Sequence, residues 1–383
     1  MRPRGFEPDE FRARVAKAQA RMAQAGFGAL LLTTEPEVRY FTGFLTRFWE
    51  SPSRPWFLVV PASGDPIAVI PAIGGFLMGQ SWITDIRTWR SPNPEDEGIS
   101  LLAACLREVV GAGQVALPMG AESYLRLPQA EFEGLKAATP CDFVADQGIM
   151  ADLRAVKSPA EIAKIKTACD IAAAAFASVP NWAAAGQGLD QVFRQFQSSC
   201  LLGGADFLPY LAGGAGQGGY GDVISPAGPI PLAAGDVLML DTGLIWDGYF
   251  CDYDRNYSVG AATAAVKSAH ARLIDAATAA FEMAKPGTTA ADLYHAMDHV
   301  LTGGQGGGDA GRLGHGLGMQ LTEGLSLIPQ DQTVLMAGMV LTLEPGIEVS
   351  GGKIMVHEEN IVITVTGAAY LSPKMGAEIP RIG

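Results

Sequence analysis

Apolar residues recur at helical spacing between charged ones from Pro8 to Gln24, with Phe11, Val15, Ala18 and Met22 on one stripe. Gly26 then closes the predicted helix. Shorter, continuous apolar runs follow. Ala29 to Thr33, Trp56 to Val60 and Ile67 to Ile70 predict buried strands, the last two separated by the turn Ser63-Gly64-Asp65-Pro66. A helix through Leu101 to Val110 and a strand at Val115-Ala116-Leu117 continue the alternation, which predicts a small α/β domain.

The pattern changes near residue 152. Ser158, Pro159 and Glu161 read as a helix start with a capping box, and the alanine-rich stretch from Lys164 to Ala177 as a packing helix. The glycine-rich run Gly203 to Gly221 reads as a mobile or tightly turned segment near the site, and without a Gly-Lys-Ser/Thr ending it is no phosphate loop. Val237 to Leu240 predicts a buried strand, Gly243 and Gly248 a turn, and Tyr249-Phe250-Cys251 a returning strand. Helices are predicted over about Ala264 to Ala284, ended by Lys285-Pro286-Gly287, and over Ala290 to Leu301. The strand-rich segment Met339 to Thr364 is expected to join the strand carrying Asp241 in one antiparallel sheet. No internal repeat is visible.

Candidate chemistry sits at the ends of these runs. Asp241 closes an apolar strand, where a carboxylate needs a compensating cation, and a hairpin could set Asp252 beside it. Two such carboxylates repel unless a shared proton or a metal holds them. His315 in Gly314-His315-Gly316, Glu344 in Thr342-Leu343-Glu344-Pro345 and Glu358 in His357-Glu358-Glu359 are further ligand-type residues on short apolar or glycine-rich segments. Together the five would form an oxygen-rich site with one imidazole, suited to two divalent ions of the Mn, Fe, Co or Zn kind. His295 and His299 also have ligand spacing on a helix, but no carboxylate accompanies them in a His-Glu-x-x-His arrangement.

Composition narrows the partners. A net charge of -13 argues against a general nucleic-acid binder. The five cysteines are scattered and form no C-x-x-C pair, so they are expected to be reduced and structural. No signal-peptide core and no run of eighteen apolar residues is present, so no membrane partner and a cytoplasmic location are expected.

The order Asp241, Asp252, His315, Glu344, Glu358, with the contexts Asp-x-Gly, Asp-x-x-Arg, Gly-His-Gly-x-Gly, Thr-x-Glu-Pro-Gly and Glu-Glu-Asn, resembles the M24 (pita-bread) metallopeptidase family. The likeness is to its creatinase, prolidase and aminopeptidase P branch. Asp152-Leu153-Arg154 through Glu161-Ile162 is similar to the segment that opens the catalytic domain there. The resemblance implies an α/β (α+β) chain, with a creatinase-like N-terminal domain over 1–152 and a pita-bread catalytic domain over 153–383. It also implies a homodimer, in which Arg47, Trp49 and Arg54 of one subunit's loop could contact substrate in the other.

Four positions depart from the family pattern. Thr322 of Leu321-Thr322-Glu323 stands where a histidine is usual, and a second histidine, expected about seventeen residues before Asp241, has no counterpart. Asp254 replaces a threonine or serine, and period two puts it on the same strand face as Asp252. Val356 stands where an arginine is common. The function implied is a dinuclear metal-dependent hydrolase of a dipeptide or small amide, resembling Xaa-Pro dipeptidase and aminopeptidase P. Glu344 would be its general base, with Asp254, Thr322 and Glu323 as further catalytic candidates. Because the histidines are missing, a creatinase-like C–N hydrolase or a lyase acting on a small zwitterionic metabolite is the alternative. A partner-binding protein ranks third, since binding alone would give little reason to keep five ligands.

Overall fold

The computed structural model describes residues 3–51, 54–306 and 311–383. They form two compact units, Met1–Leu153 and Arg154–Gly383.

The first unit opens with helix α1 (Pro8–Ala25), which has Pro8 at its first turn and Gly26 in the left-handed region, φ 75°, at its C-cap. A six-stranded mixed sheet follows: β1 (Ala29–Leu32), β2 (Phe57–Pro61), β3 (Ile67–Pro71), β4 (Asp85–Trp89), β5 (Gln114–Leu117) and β6 (Asp142–Ala145), in the order β4-β3-β2-β1-β5-β6. Helices α2 (Glu35–Thr42), α3 (Gly75–Met78), α4 (Ile99–Val109) and α5 (Gln129–Ala138) connect these strands. The segment between the first two strands is thus partly helical. Thr34 and Glu37 cap α2, a start signal hidden in a stretch where aromatic residues obscure any apolar stripe. Leu31, Phe57, Val59 and Val69 of the sheet meet Leu102 and Leu106 of α4 in a buried core.

Helix α6 (Ile149–Ala155) runs across the boundary between the units, and α7 (Pro159–Ser178) begins at the capping box of Ser158 and Glu161. Helix α8 (Leu189–Leu202) leads into β7 (Phe207–Gln217), then β8 (Asp236–Trp246), β9 (Tyr249–Phe250) and β10 (Tyr253–Val259). Helices α9 (Ala264–Met283) and α10 (Ala290–Thr302) precede β11 (Val340–Leu343), β12 (Gly346–Ser350), β13 (Lys353–Val356), β14 (Glu359–Ile363), β15 (Ala368–Tyr370) and β16 (Arg381–Ile382).

Two sequence expectations are corrected here. Most of the glycine-rich run is not a mobile segment but strand β7, paired antiparallel with β8 from Phe207↔Ile245 to Gln217↔Asp236. Its glycines serve close approach: a Cβ on Gly213 would lie 2.3 Å from the carbonyl oxygen of Met239, and one on Gly214 2.8 Å from Cβ of Tyr220. Nor do the last strands join the Asp241 strand in one sheet. The order β16-β10-β8-β7, with β9 on β8, is one sheet, while β11-β14-β15 and β12-β13 are separate. One core binds them: Val237 and Met239 of β8, Leu273 and Ala276 of α9, Leu293 and Met297 of α10, Leu341 and Leu343 of β11, and Ile361 and Ile363 of β14. Odd-numbered positions of β8 face this core, so alternation aims Asp241 the same way, past the last apolar residue.

Candidate metal centre

Asp241 stands within a strand, while Asp252, Glu344 and Glu358 stand just outside one, and side chains from other segments hold the backbones of Asp252, His315 and Glu358. Asp241 lies in β8, and its register partner across the ladder is Asp254 of β10, not Asp252. Asp252 comes just before β10. Its N–H donates to Oδ1 of Asn360 at 2.9 Å, and Nδ2 of Asn360 donates back to its carbonyl. His315 donates its backbone N–H to Oγ1 of Thr342 at 2.9 Å, and its ring Nδ1–H donates to the carbonyl of Gly316, also at 2.9 Å. That leaves Nε2 aimed at Asp252 (3.2 Å) and Glu344 (2.9 Å). Glu344 follows β11, and Glu358 precedes β14, with its N–H donated to Oδ1 of Asp254 at 2.8 Å.

The five groups converge in two overlapping sets. Asp252, His315 and Glu344 offer ligand atoms within 4.8 Å of one another, and so do Asp241, Asp252 and Glu358. Asp252 belongs to both. His295 and His299 join no such set among the described residues.

The electrostatics call for cations. Burial, and then the neighbouring charges of Asp252, Asp254 and Glu344, raise the carboxyl of Asp241 far above the usual range. Burial followed by Asp241, Glu344 and Asp252 does the same to Glu358. Burial lifts Asp252 to about 6, against the opposing pull of His315. Burial alone would lower His315, but Glu344 and Asp252 carry it up to about 10. Although burial works against ionisation of Glu344, His315 keeps its carboxyl below the ordinary value. A proton on His315 thus occupies the place of the cation that this carboxylate set demands. Asp241 Oδ1 and Glu358 Oε2 are buried with no hydrogen-bond partner, which is the state of a ligand oxygen awaiting an ion. The donor set of carboxylates and one imidazole fits divalent ions of intermediate softness.

The other sequence candidates are placed elsewhere. Asp254 is fully buried and joins neither ligand set. Its Oδ1 holds the Glu358 N–H and lies 3.5 Å from Nδ1 of His357, and its Oδ2 accepts from Nδ2 of Asn256 at 3.3 Å. It therefore positions a ligand instead of presenting a free base. Glu323 is buried between Lys157, at 2.9 Å, and Arg154, which also reaches Gln320. Thr322 Oγ1 accepts from Nη2 of Arg312 at 3.0 Å. In the first unit, Trp49 is buried beside Phe44 and Trp56, with the Arg126 guanidinium 5.2 Å over its ring. Arg47 pairs with Glu50, and Arg54, at φ 68°, lies 5.1 Å over Phe48.

Tyr210, Asn360 and Arg312 are site residues that sequence reasoning missed. Tyr210 hydrogen-bonds Asp241 through its side chain, and its phenol is pushed upward chiefly by burial and then by Asp241 and Glu358. The pairing of β7 with β8 could have flagged it, since Tyr210 opposes Gly243, two residues beyond Asp241.

Asn360 gives a direct prediction. Asn360→Ala removes both bonds that hold the Asp252 backbone, so divalent-metal affinity is expected to fall about 10- to 100-fold, measured by metal titration at unchanged secondary structure.

Residues 14–156 match the model of the creatinase/prolidase N-terminal domain, and residues 163–365 that of metallopeptidase family M24. The chain is 28% identical over 384 residues to a probable dipeptidase PepE of Mycobacterium tuberculosis, with 97% of both chains covered. It is 30% identical over 262 residues to an Xaa-Pro dipeptidase of Pyrococcus horikoshii, covering 66% of this chain and 72% of that one. The crystal structure of the dipeptidase PepE from Mycobacterium ulcerans superposes with a TM-score of 0.84 at 26% identity, covering 98% of this chain and 99% of that one. With a mixed-sheet first unit, a pita-bread second unit and a buried carboxylate–imidazole site, this chain belongs to metallopeptidase family M24, whose hydrolases work with divalent metal ions.

Proposed function

We propose that the protein is a dipeptidase that uses two divalent ions, Mn, Co, Fe or Zn, to cleave the amide bond of a dipeptide or small amide. The observation that carries this reading is the pair of overlapping ligand sets sharing Asp252, with Asp241 Oδ1 and Glu358 Oε2 buried and unbonded. Asp241, Asp252 and Glu358 would hold one ion, and Asp252, His315 and Glu344 the other. Ions bound there would polarise the scissile carbonyl and acidify a water. Glu344 is the residue assigned to take up that water's proton. One of its oxygens is engaged by His315 Nε2 and Thr342 Oγ1, which fixes the carboxylate beside the ligand cluster. The names of the relatives speak for a dipeptide over a zwitterionic metabolite.

The same reading takes the catalytic domain to be 153–383, the working form to be a cytoplasmic homodimer, and Arg47 and Arg54 to be contacts toward a partner's substrate. Among the described residues, no helix is long and apolar enough to cross a membrane.

The test is metal removal and return. Chelated protein is expected to hydrolyse no dipeptide. Mn or Co should restore turnover as occupancy approaches about two ions per chain, followed by elemental analysis and an Xaa-Pro and non-prolyl dipeptide screen. Full occupancy with no turnover of any dipeptide would defeat the proposal.

A further inference from the structure

Asp252 and Glu358 both lie between strands, outside the ladders: Asp252 between β9 and β10, and Glu358 between β13 and β14. Side chains hold what the ladders do not. Asn360, two residues after Glu358, takes the N–H of Asp252 at 2.9 Å and donates to its carbonyl. The return contacts come from the residues that follow Asp252. Asp254 takes the N–H of Glu358 at 2.8 Å, and Nη1 of Arg255 donates to the carbonyl of Glu358 at 2.9 Å. Next along β10, Nδ2 of Asn256 donates to the carbonyl of Val356 at 2.7 Å. Tyr220 Oη accepts the Val356 N–H at 2.6 Å and donates to Oδ1 of Asn256 at 3.2 Å.

Each ligand is thus bracketed on both of its flanking peptides, and the brackets are side chains that lie next to the other ligand in the chain. Holding the N–H and the carbonyl of one residue fixes its two soft dihedrals, and with them the direction in which its side chain leaves the backbone. The brackets are held in turn. Nη2 of Arg255 meets Oε2 of Glu359 at 3.1 Å, and Oγ of Ser372 takes the N–H of Asn360 at 2.9 Å. Asp252, Asp254, Arg255, Asn256 and Asn360 are all buried. A bracket removed there leaves backbone groups that little water can reach, and such groups are costly to leave unpaired.

We infer that Asp254, Arg255 and Asn256 on one side and Asn360 on the other form a reciprocal clamp, which holds Asp252 and Glu358 as one unit and presets two carboxylates of the Asp241–Asp252–Glu358 set. The inference rests on the metal-centre reading above and deepens it. The four are positioning residues, since their bonds go to the backbone of the ligands and of Val356. Asp254, which departs from the family pattern, acts through the Glu358 N–H. Loosening either half displaces both ligands, so a change at Asn360 reaches Glu358 and a change at Asp254 reaches Asp252. The competing role for Asp254 is that of a bare negative charge beside Asp241, which would act without regard to Asn360.

The experiment is a double-mutant cycle of Asp254→Ala and Asn360→Ala, read by Mn titration calorimetry and by amide hydrogen exchange of the metal-free protein. Each single variant is expected to bind Mn about 10- to 100-fold more weakly, the range for partners that orient a ligand. The double variant should lose far less than the product of the two, because either change already frees both ligands. Without metal, Asn360→Ala should speed exchange at the Glu358 amide, whose own acceptor is intact, and Asp254→Ala at the Asp252 amide. Asp254→Asn keeps an oxygen for the Glu358 N–H and drops the charge, so it should bind Mn more tightly than Asp254→Ala. A double loss equal to the product would overturn the inference, and so would faster exchange confined to the mutated side. Equal losses for Asp254→Asn and Asp254→Ala would overturn it in favour of bare charge. Should Asp254→Ala not fold, Tyr220→Phe, which removes only the hydroxyl that takes the Val356 N–H, enters the cycle under the same criteria. If wild type binds no divalent ion, the metal reading fails and exchange decides the clamp alone. Acceleration that crosses from one half to the other supports it, and its absence refutes it.

Discussion

Asp252→Asn is expected to abolish hydrolysis, by about 10⁴-fold or more, while making the metal-free protein more stable. The first effect follows from Asp252 being the one residue common to both ligand sets. Losing it disturbs the polarisation that both ions supply, a contribution of several kcal/mol to the barrier. The second follows from its titration. Burial raises the carboxyl of Asp252 from 3.8 to about 6 in the folded chain. A raised carboxylate pKa means that ionisation opposes folding. The cost begins as pH rises past 3.8, where the unfolded chain ionises, and is complete above about 6, where it amounts to roughly 3 kcal/mol. Asparagine removes that cost and, because the Asn360 clamp acts on the backbone of Asp252, leaves the local geometry in place. In chelator at pH 7.5 the variant should therefore melt above wild type, and with saturating metal below it. A variant that melts lower in both conditions would mean that Asp252 is a folding residue and that the cluster is no strained ligand set.

Glu323→Ala is expected to unfold the second unit far more readily without touching the chemistry. Glu323 is buried against Lys157 and Arg154, and truncating it leaves two cations with little solvent and without the carboxylate between them. Breaking a buried ion pair from one side costs about 3–5 kcal/mol. In a unit of this size that lowers the melting temperature on the order of 10 °C. The pH dependence carries the same signature. Burial opposes ionisation of Glu323, yet Arg154 and Lys157 hold its carboxyl down at about 2. A depressed carboxylate pKa contributes stability that is fully present above 4.5, the unfolded value, and is lost as pH falls from 4.5 toward 2. The gap between wild type and variant should be constant at neutral pH and close across that acid window. A melting temperature unchanged at pH 7 alongside a collapse in turnover would return Glu323 to the catalytic role suggested by its neighbour Thr322.

Much of the site was legible because its ligands sit at breaks in local patterns. Asp241 ends the apolar run of β8, and His315 lies in a glycine cluster whose neighbours leave no room for side chains. A Cβ on Gly316 would meet the carbonyl oxygen of Glu323 at 2.2 Å. Such constraints act over a few residues, and a linear sequence displays them. Helix starts at Ser158 and Thr289 are legible for the same reason, since a cap is a contact between residues three apart.

What the chain order could not display were contacts set by register and by packing between distant segments. Period two put Asp254 on the face of Asp252, but Asp252 lies outside β10, and only the β8–β10 ladder set Asp254 opposite Asp241. Only the packing of a second sheet turned its carboxylate to the N–H of Glu358, 104 positions away. The division of the last strands into separate sheets, both packed against α9, is something that apolar periodicity alone does not specify. Arg312 showed no sequence signal, because an arginine near glycines is ordinary. Its meaning lies in Thr322 ten residues on and in carboxylates delivered by other elements. By itself the sequence determined the local elements and the ligand residue types, through interactions within a turn or a strand. The tertiary structure decided which groups share one buried volume, because desolvation and charge coupling act through space and are set only when distant segments pack.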